Sequence, residues 1–197
     1  ATALLLAGRF MKLQFSNTQA RYWNPGATLP LILPMLVVPN TSDEMILSNI
    51  KENSSSRGGW LKQTPAHDTV AVICGAGPSL ADTLDDVRAQ VSAGAVVFSL
   101  NGSAKFLAEQ GIMPDYQVIV DARAQTVDLI GPAKAHLFAS RVDPECFRRV
   151  PDAVLFHHSD KDIDSVLPPY DDDYCLVCGG VSAGIMAMML GYTMGFR

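Results

Sequence analysis

Charge is scarce in this chain: Asp, Glu, Lys and Arg make up 18% of its 197 residues, against 48% apolar residues. Disordered chains show the opposite balance, so the composition excludes a disordered tail and supports a packed core. Basic residues are outnumbered 15 to 20, and a formal charge of −5 lacks the electrostatic footprint of a nucleic-acid binder. Long apolar runs are missing as well. The most apolar window, Leu29 to Val38, is broken by Pro30 and Pro34, whereas a membrane-spanning helix needs about 20 apolar residues. Ala1 to Ala7 lacks the basic lead and cleavage site of a signal peptide. The chain is therefore expected to bind neither nucleic acid nor membrane. It does not begin with Met and is expected to start inside a longer product or after processing.

Cysteine is also sparse. Cys74, Cys146, Cys175 and Cys178 are too few and too scattered for a disulfide scaffold. Cys175 and Cys178 fall in the apolar run Tyr174–Cys178, which reads as a strand. Residues three apart on a strand face opposite sides and do not grip one metal. The thiols are read as buried and reduced, which points to a reducing compartment, the cytoplasm.

The chain changes character near residue 65. Residues 1–40 are punctuated by proline without a sustained period, and Thr41-Ser-Asp-Glu44 reads as a capping box opening a helix over about 42–53. The loop Ser54–Gly59 ends that helix, and Trp60 and Leu61 are expected to pack this arm onto the domain that begins at residue 66. From that residue onward the texture is regular. Short apolar runs at Val70–Cys74, Ala95–Leu100, Tyr116–Val120, His136–Ala139, Ala153–Phe156 and Tyr174–Cys178 read as strands buried on both faces. Helical segments alternate with them near Leu80–Ser92, Ser103–Gln110, Ala124–Ile130 and Pro144–Arg149, and again from Ser182. This alternation predicts an α/β domain over 66–197, with a doubly wound, mostly parallel Rossmann-like sheet, preceded by a helical or irregular arm over 1–65.

Such sheets gather their functional groups at the carboxyl ends of the strands. Those ends carry Gly75–Leu80, Asn101-Gly102, Asp121, Ser140-Arg141, His157-His158 and Gly179–Gly184, a polar and glycine-rich rim. Gly75-Ala-Gly-Pro-Ser-Leu80 lies between a strand and a helix, the context of a phosphate-binding turn, with Ser79 placed to cap the helix. It is not a dinucleotide fingerprint: the sixth position is Leu80, and Asn101 ends the next strand where an acid would meet ribose hydroxyls. A Walker lysine and a nucleophile elbow are likewise absent.

Asp121 is placed either to hold Mg²⁺ or to cap the next helix. Asp160, Asp162 and Asp164, and the run Asp171–Asp173, read as solvated loop charge beside a weaker metal reading. His157 is a candidate catalytic base or phosphate contact, but neighbours on a strand alternate faces, so one of His157 and His158 must enter the packing. Arg123 and Arg141 suit phosphate neutralisation or ordinary surface charge. The methionines Met186, Met188, Met189 and Met194 read as helix core.

Three blocks, VAVICGAGPSL (Val70–Leu80), SLNGSAKFLAEQGIMPDYQVIVD (Ser99–Asp121) and CGGVSAGIMAMMLGY (Cys178–Tyr192), together resemble the MptE-like family. That family comprises archaeal 6-hydroxymethylpterin diphosphokinases and the related Maf flagellin-modifying glycosyltransferases. ILSNIKENS (Ile46–Ser54) looks like the family's lead-in helix, so the resemblance covers roughly residues 45–197. GAGPSL is also similar to the GNGPSL turn of bacterial sialyltransferases, with Ala76 where those carry Asn. The resemblance implies a nucleotide-binding transferase. Gly75, Ala76, Gly77, Pro78 and Ser79 would then cradle phosphates, and Asn101 with Gly102 would face base or ribose. Asp121 would hold Mg²⁺ or the acceptor, and Gly179, Gly180 and Ser182 would form a second turn; Arg141 and His157 join Asp121 as catalytic candidates from their own places at the strand ends.

Diphosphate transfer from ATP to a hydroxymethyl-bearing small molecule is the first function so implied. A nucleotide-sugar-dependent glycosyltransferase and a non-catalytic nucleotide-binding module are the alternatives, and a homo-oligomer is left open. The family continues into another strand after the last helix, so the domain is expected to be truncated near Arg197, with part of the acceptor site missing.

Overall fold

The computed structural model describes residues 3–6, 9–15, 19–23, 28, 31–34, 40–54, 59–158, 176–177 and 182–197. They form two compact units, Ala1–Asn40 and Thr41–Arg197. In the first, β1 (Ala3–Leu6), β2 (Arg9–Phe15), β3 (Gln19–Trp23) and β4 (Leu31–Pro34) make an antiparallel meander in that order. Its register pairs Leu6 with Arg9, Phe15 with Ala20 and Tyr22 with Leu31. This corrects the expectation of a helical or irregular arm. Strands of 4 to 7 residues leave no sustained period to read, and Pro34 ends an edge strand, where a sheet tolerates proline.

The second unit opens with α1 (Asp43–Asn53). Its N-cap is Ser42, whose hydroxyl accepts from the Met45 N–H at 3.3 Å. The cap therefore sits one residue later than the Thr41 box, and Thr41 is buried. The sequence groups α1 with the arm up to residue 65, whereas by contact it belongs to the larger unit. Two buried side chains one helical turn apart explain this. Asn49 donates to the carbonyls of Arg141 (3.0 Å) and Ala122 (3.4 Å), and Asn53 to those of Ser140 and Val142, both at 2.8 Å. Leu61 is buried in the main core with its N–H on the Leu155 carbonyl at 2.7 Å.

Six parallel strands build the large sheet: β5 (Ala71–Cys74), β6 (Val96–Leu100), β7 (Tyr116–Ile119), β8 (Ala135–Ala139), β9 (Val154–His158) and β10 (Leu176–Val177). They are neighbours in chain order, with Ile73 beside Phe98, Leu100 beside Val118, and Phe138 beside Leu155. The connections carry α2 (Leu84–Ser92), α3 (Ser103–Glu109) and α4 (Glu145–Arg149), with 3-10 turns at Pro78–Thr83 and Ala124–Leu129.

Neighbours on a strand bury on opposite faces. Val97 joins Leu80, Val87 and Leu107 under α2 and α3, while Phe98 joins the main core. α5 (Ala183–Thr193) covers that other face with Met186, Ala187 and Leu190. Helices on both faces of a parallel sheet are the α/β arrangement that the alternating pattern predicts. Of the methionines read as core, Met186 is fully buried and Met189 and Met194 pack against the core, but Met188 is 63% exposed. Cys74 and Cys146 are buried free thiols, whereas Cys175 and Cys178 lie outside the described residues.

Each carbonyl that loses the Asn53 amide is left buried and unmet, so Asn53→Ala is expected to destabilise the fold by about 2 kcal/mol or more. Asn53→Asp keeps the shape but sets a carboxylate against two carbonyl oxygens, and is expected to cost more still. Urea denaturation checks the order; equal losses would contradict it.

Candidate functional site

The site is assembled along the carboxyl edge of the sheet, beginning at β5. After Cys74 the chain turns through Gly75-Ala76-Gly77, all exposed, into the 3-10 turn that starts at Pro78. A cavity of about 430 Å³ lies against this turn, lined by Cys74, Gly75, Gly77, Ser79, Thr83 and Asp86 among others. Ser79 does not cap a helix. It lies inside the 3-10 turn, its carbonyl accepting from the Thr83 hydroxyl at 3.1 Å, and α2 begins only at Leu84. Proline at position 78 and the short turn delay the α-helix beyond the point that composition suggests.

At the end of β6, Asn101 holds a left-handed φ of +51°. Its side-chain oxygen is buried and has no hydrogen-bond partner among the described residues. A non-glycine residue in that region, with an unmet buried acceptor, is the kind of local cost that clusters at ligand sites. Two buried polar side chains hold Asn101 there. Ser103 bridges the ends of β5 and β6, donating to the Cys74 carbonyl and accepting from the Leu100 N–H, both at 2.8 Å. Gln117, fully buried in the middle of β7, donates to the carbonyls of Asn101 and Leu129 at 2.8 Å and accepts from the Gly131 N–H at 3.0 Å. Gly102 precedes α3 as its N-cap.

The next three strands supply charge. Asp121 follows β7 and takes three hydrogen bonds from Arg123, its Oδ1 accepting from the backbone N–H at 3.0 Å and its Oδ2 from Nε at 2.8 Å and Nη2 at 2.5 Å. Burial acts to raise the Asp121 pKa but is outweighed by the hydrogen bonds and charge of Arg123 and by Arg141, which hold it below the usual carboxylate value. Both oxygens of Asp121 are therefore engaged by Arg123. Among the described residues no group of three or more His, Cys, Asp and Glu side chains is gathered as for a metal ion.

Arg141 follows β8, and its Nη1 lies 3.0 Å from Nδ1 of His158 at the end of β9. His157 is the member of the pair that enters the packing. It is fully buried, shares a 2.7 Å hydrogen bond with the Ser140 hydroxyl, and stacks on Trp60 at 4.2 Å between ring centroids. The edge therefore presents His158 where the sequence puts His157 forward.

Ser182 is exposed and caps α5, accepting from the Ile185 N–H at 3.3 Å. Gly179, Gly180 and the aspartates at 160, 162, 164 and 171–173 lie outside the described residues. The sequence reading missed the roles of Gln117, Asn49 and Asn53. A signal existed in each case: an amide inside the apolar run Tyr116–Val120, and an amide beside Ile46 and Ile50 on the apolar face of α1.

A parallel α/β sheet with helices on both faces, and with a glycine turn, a strained asparagine and paired charges along one carboxyl edge, defines a Rossmann-like domain. The family model described as "6-hydroxymethylpterin diphosphokinase MptE-like" matches residues 44–197, and the chain belongs to the MptE-like family. Among solved structures, the Maf glycosyltransferase from Magnetospirillum magneticum AMB-1 shares the fold, with a TM-score of 0.62 at 18% identity. The match covers 79% of this chain and 26% of that protein, so the chain spans about a quarter of its length. Among curated protein sequences none matches. No helix among the described residues is long and apolar enough to cross a membrane.

Burial pushes His157 from an ordinary 6.5 down to about 4. Between those values the unfolded chain binds the proton and the folded one does not, so stability falls as the solution is acidified. It is expected to be full above about pH 6.5 and to drop by about 3 kcal/mol on reaching pH 4. His157→Gln should remove that part of the pH dependence. Denaturant titrations at neutral and acid pH decide it, and an unchanged slope in the variant would exclude His157 as the cause.

Proposed function

We propose that the chain is a nucleotide-binding transferase. It holds a nucleoside triphosphate at the Gly75–Ser79 turn and passes diphosphate from ATP, taken as its magnesium complex, to a hydroxymethyl-bearing small molecule in the cytoplasm. One observation carries the binding site: the fold itself does not require glycine at 75 or 77. Gly77 has an ordinary φ of −75°, a Cβ on Gly75 would meet nothing within 4 Å, and one on Gly77 would meet only the Ser79 Oγ at 4.0 Å. Gly195 is the contrast, with a φ of +89° and the Pro65 carbonyl 2.2 Å from where a Cβ would lie. Missing side chains that the fold does not need, at the lip of a cavity, are accounted for by a ligand that approaches the backbone closely.

The family description supports diphosphate transfer as the reaction. Such transfer depends on positioning and charge neutralisation more than on a protein nucleophile, which suits an edge that offers backbone, amide and guanidinium groups. A second reading, glycosyl transfer from a nucleotide-sugar in the same cleft, is favoured by the fold likeness to a Maf glycosyltransferase over 79% of the chain.

Thermal unfolding with ATP, GTP, CTP and a CMP-sugar, with and without Mg²⁺, separates the readings. A bound nucleotide at a hundredfold excess over its Kd stabilises by about 2.7 kcal/mol. Stabilisation by a triphosphate with Mg²⁺ supports the diphosphokinase; preference for the CMP-sugar supports the glycosyltransferase. Binding without turnover of any acceptor leaves the non-catalytic module, and no shift with any nucleotide overturns all three. Gly77→Val points its side chain into open space, so its stability without ligand is expected to change by less than about 0.5 kcal/mol. Its nucleotide shift is expected to vanish; a retained shift would move the site elsewhere.

A further inference from the structure

The cavity beside the glycine turn extends along α2, and its wall there has a chemistry of its own. Thr83, Asp86, Val87 and Gln90 all line it. Their spacing, i, i+3, i+4 and i+7, is that of a single helical stripe, and the stripe a helix turns to its sheet is ordinarily apolar. Here only Val87 is apolar and buried; Thr83, Asp86 and Gln90 are polar and exposed. The rest of the wall is mostly apolar, with Val72 and Ile73 from β5 and Leu80 from the 3-10 turn.

Charge in this cavity has one sign. Asp86 brings a carboxylate, and among the described residues no Lys, Arg or His lines the space. Arg88, the nearest base along α2, is turned to Asp85 at 3.0 Å and to the Gln110 carbonyl at 3.1 Å. A phosphate is repelled beside Asp86. The rises of the 3-10 turn and of α2 put Asp86 up to about 16 Å from Gly77, whereas donors hold a phosphate from about 3 Å. A ligand whose phosphates sit on the turn therefore presents another part of itself to the α2 wall. That part needs an apolar face for Val72, Ile73, Leu80 and Val87, and a hydrogen-bond donor for a carboxylate that only accepts. A volume of about 430 Å³ is ample for such a group.

We infer that the α2 wall is a nucleobase subsite, in which the Asp86 carboxylate accepts from the exocyclic amine of the base. Gln90, one helical turn on, meets the ring nitrogen beside that amine with an amide that both donates and accepts. The inference rests on the proposed placement of the phosphates at Gly75–Ser79 and names the class of nucleotide held there. Adenine, cytosine and guanine each carry an exocyclic amine, and carboxylate and amide side chains are the groups that read the amines of cytosine and adenine. Uracil has none, and its ring N–H lies between two carbonyl oxygens that a carboxylate repels. The donor is thereby an amino-bearing nucleotide, whether it gives up diphosphate or a sugar, and uridine nucleotides are refused.

Adenosine and purine riboside, which differ by that amine alone, are the probes. They are titrated into the isotope-labelled chain while the side-chain amide of Gln90 is followed by NMR. A saturable shift with adenosine is expected, with purine riboside and uridine weaker by about tenfold or more. Asp86→Ala is expected to weaken adenosine about tenfold and to leave purine riboside unchanged, so that the two converge. Asp86 is exposed, and its replacement is not expected to disturb folding. Asp86→Asn, which keeps the shape and an acceptor oxygen but loses the charge, should fall between. Equal affinities for the two nucleosides, or a difference that survives Asp86→Ala, overturn the subsite; if triphosphates still stabilise the chain, the nucleotide reading stands without it. An amine-dependent adenosine response in a chain that no nucleotide stabilises overturns the placement of the phosphates and leaves the base subsite standing. No response to any nucleoside or nucleotide overturns both.

Discussion

Buried side-chain amides hold the carboxyl edge of this sheet in place. Loops that leave parallel strands carry carbonyls that no neighbouring strand meets, and each one left buried without a donor costs about 1–3 kcal/mol. An amide NH2 offers two donors from one atom, which a hydroxyl or a carboxylate does not. Asn49, Asn53 and Gln117 each spend both on carbonyls of different residues. Between them they fix the backbone of Asn101, Ala122, Ser140, Arg141 and Val142. From β6 to β8, Asn101, Asp121, Arg123 and Arg141 each stand on, or next to, one of those carbonyls. The geometry of the site is therefore inherited from residues that never face it.

This dependence explains what sequence reveals and what it conceals. The strands of the large sheet are legible because β5 to β9 pack on both faces and read as mostly apolar runs. The meander of the first unit is not, because a few residues per strand give alternation no length in which to show itself. The glycine turn and the charged strand ends are legible as residue types in a known context. Which of two adjacent histidines enters the packing is not. That is settled by the phase of β9, which a one-residue shift reverses, and β9 runs on to His158 where its apolar run stops at Phe156. Ser79 and the Thr41 box fail for a related reason. Caps depend on where a helix starts to within one residue, and a 3-10 turn or a neighbouring serine moves that point without altering composition.

Glycine and asparagine mark the site in opposite ways. At Gly75 and Gly77 the backbone is ordinary and the surrounding space is open, so glycine serves access rather than conformation. At Asn101 a side chain is kept despite a φ of +51°, a conformation that glycine would adopt without strain. Keeping it leaves an acceptor oxygen buried and unmet among the described residues, although Gln117 and Ser103 spend six hydrogen bonds on this corner of the sheet. On the proposed reading, that oxygen is placed to accept an N–H or O–H from a molecule lying across the edge.

Along that edge the chemistry changes in one direction. At β5 there is backbone and almost no side chain; at β6 a neutral amide; at β7 to β9 guanidiniums, a carboxylate and an imidazole. Backbone N–H groups recognise a phosphate whatever it is attached to, so on the proposed reading the β5 end contributes affinity common to many nucleotides. A shared fold at 18% identity with a glycosyltransferase is compatible with either chemistry, because a fold supplies the platform and the site built on it decides the use.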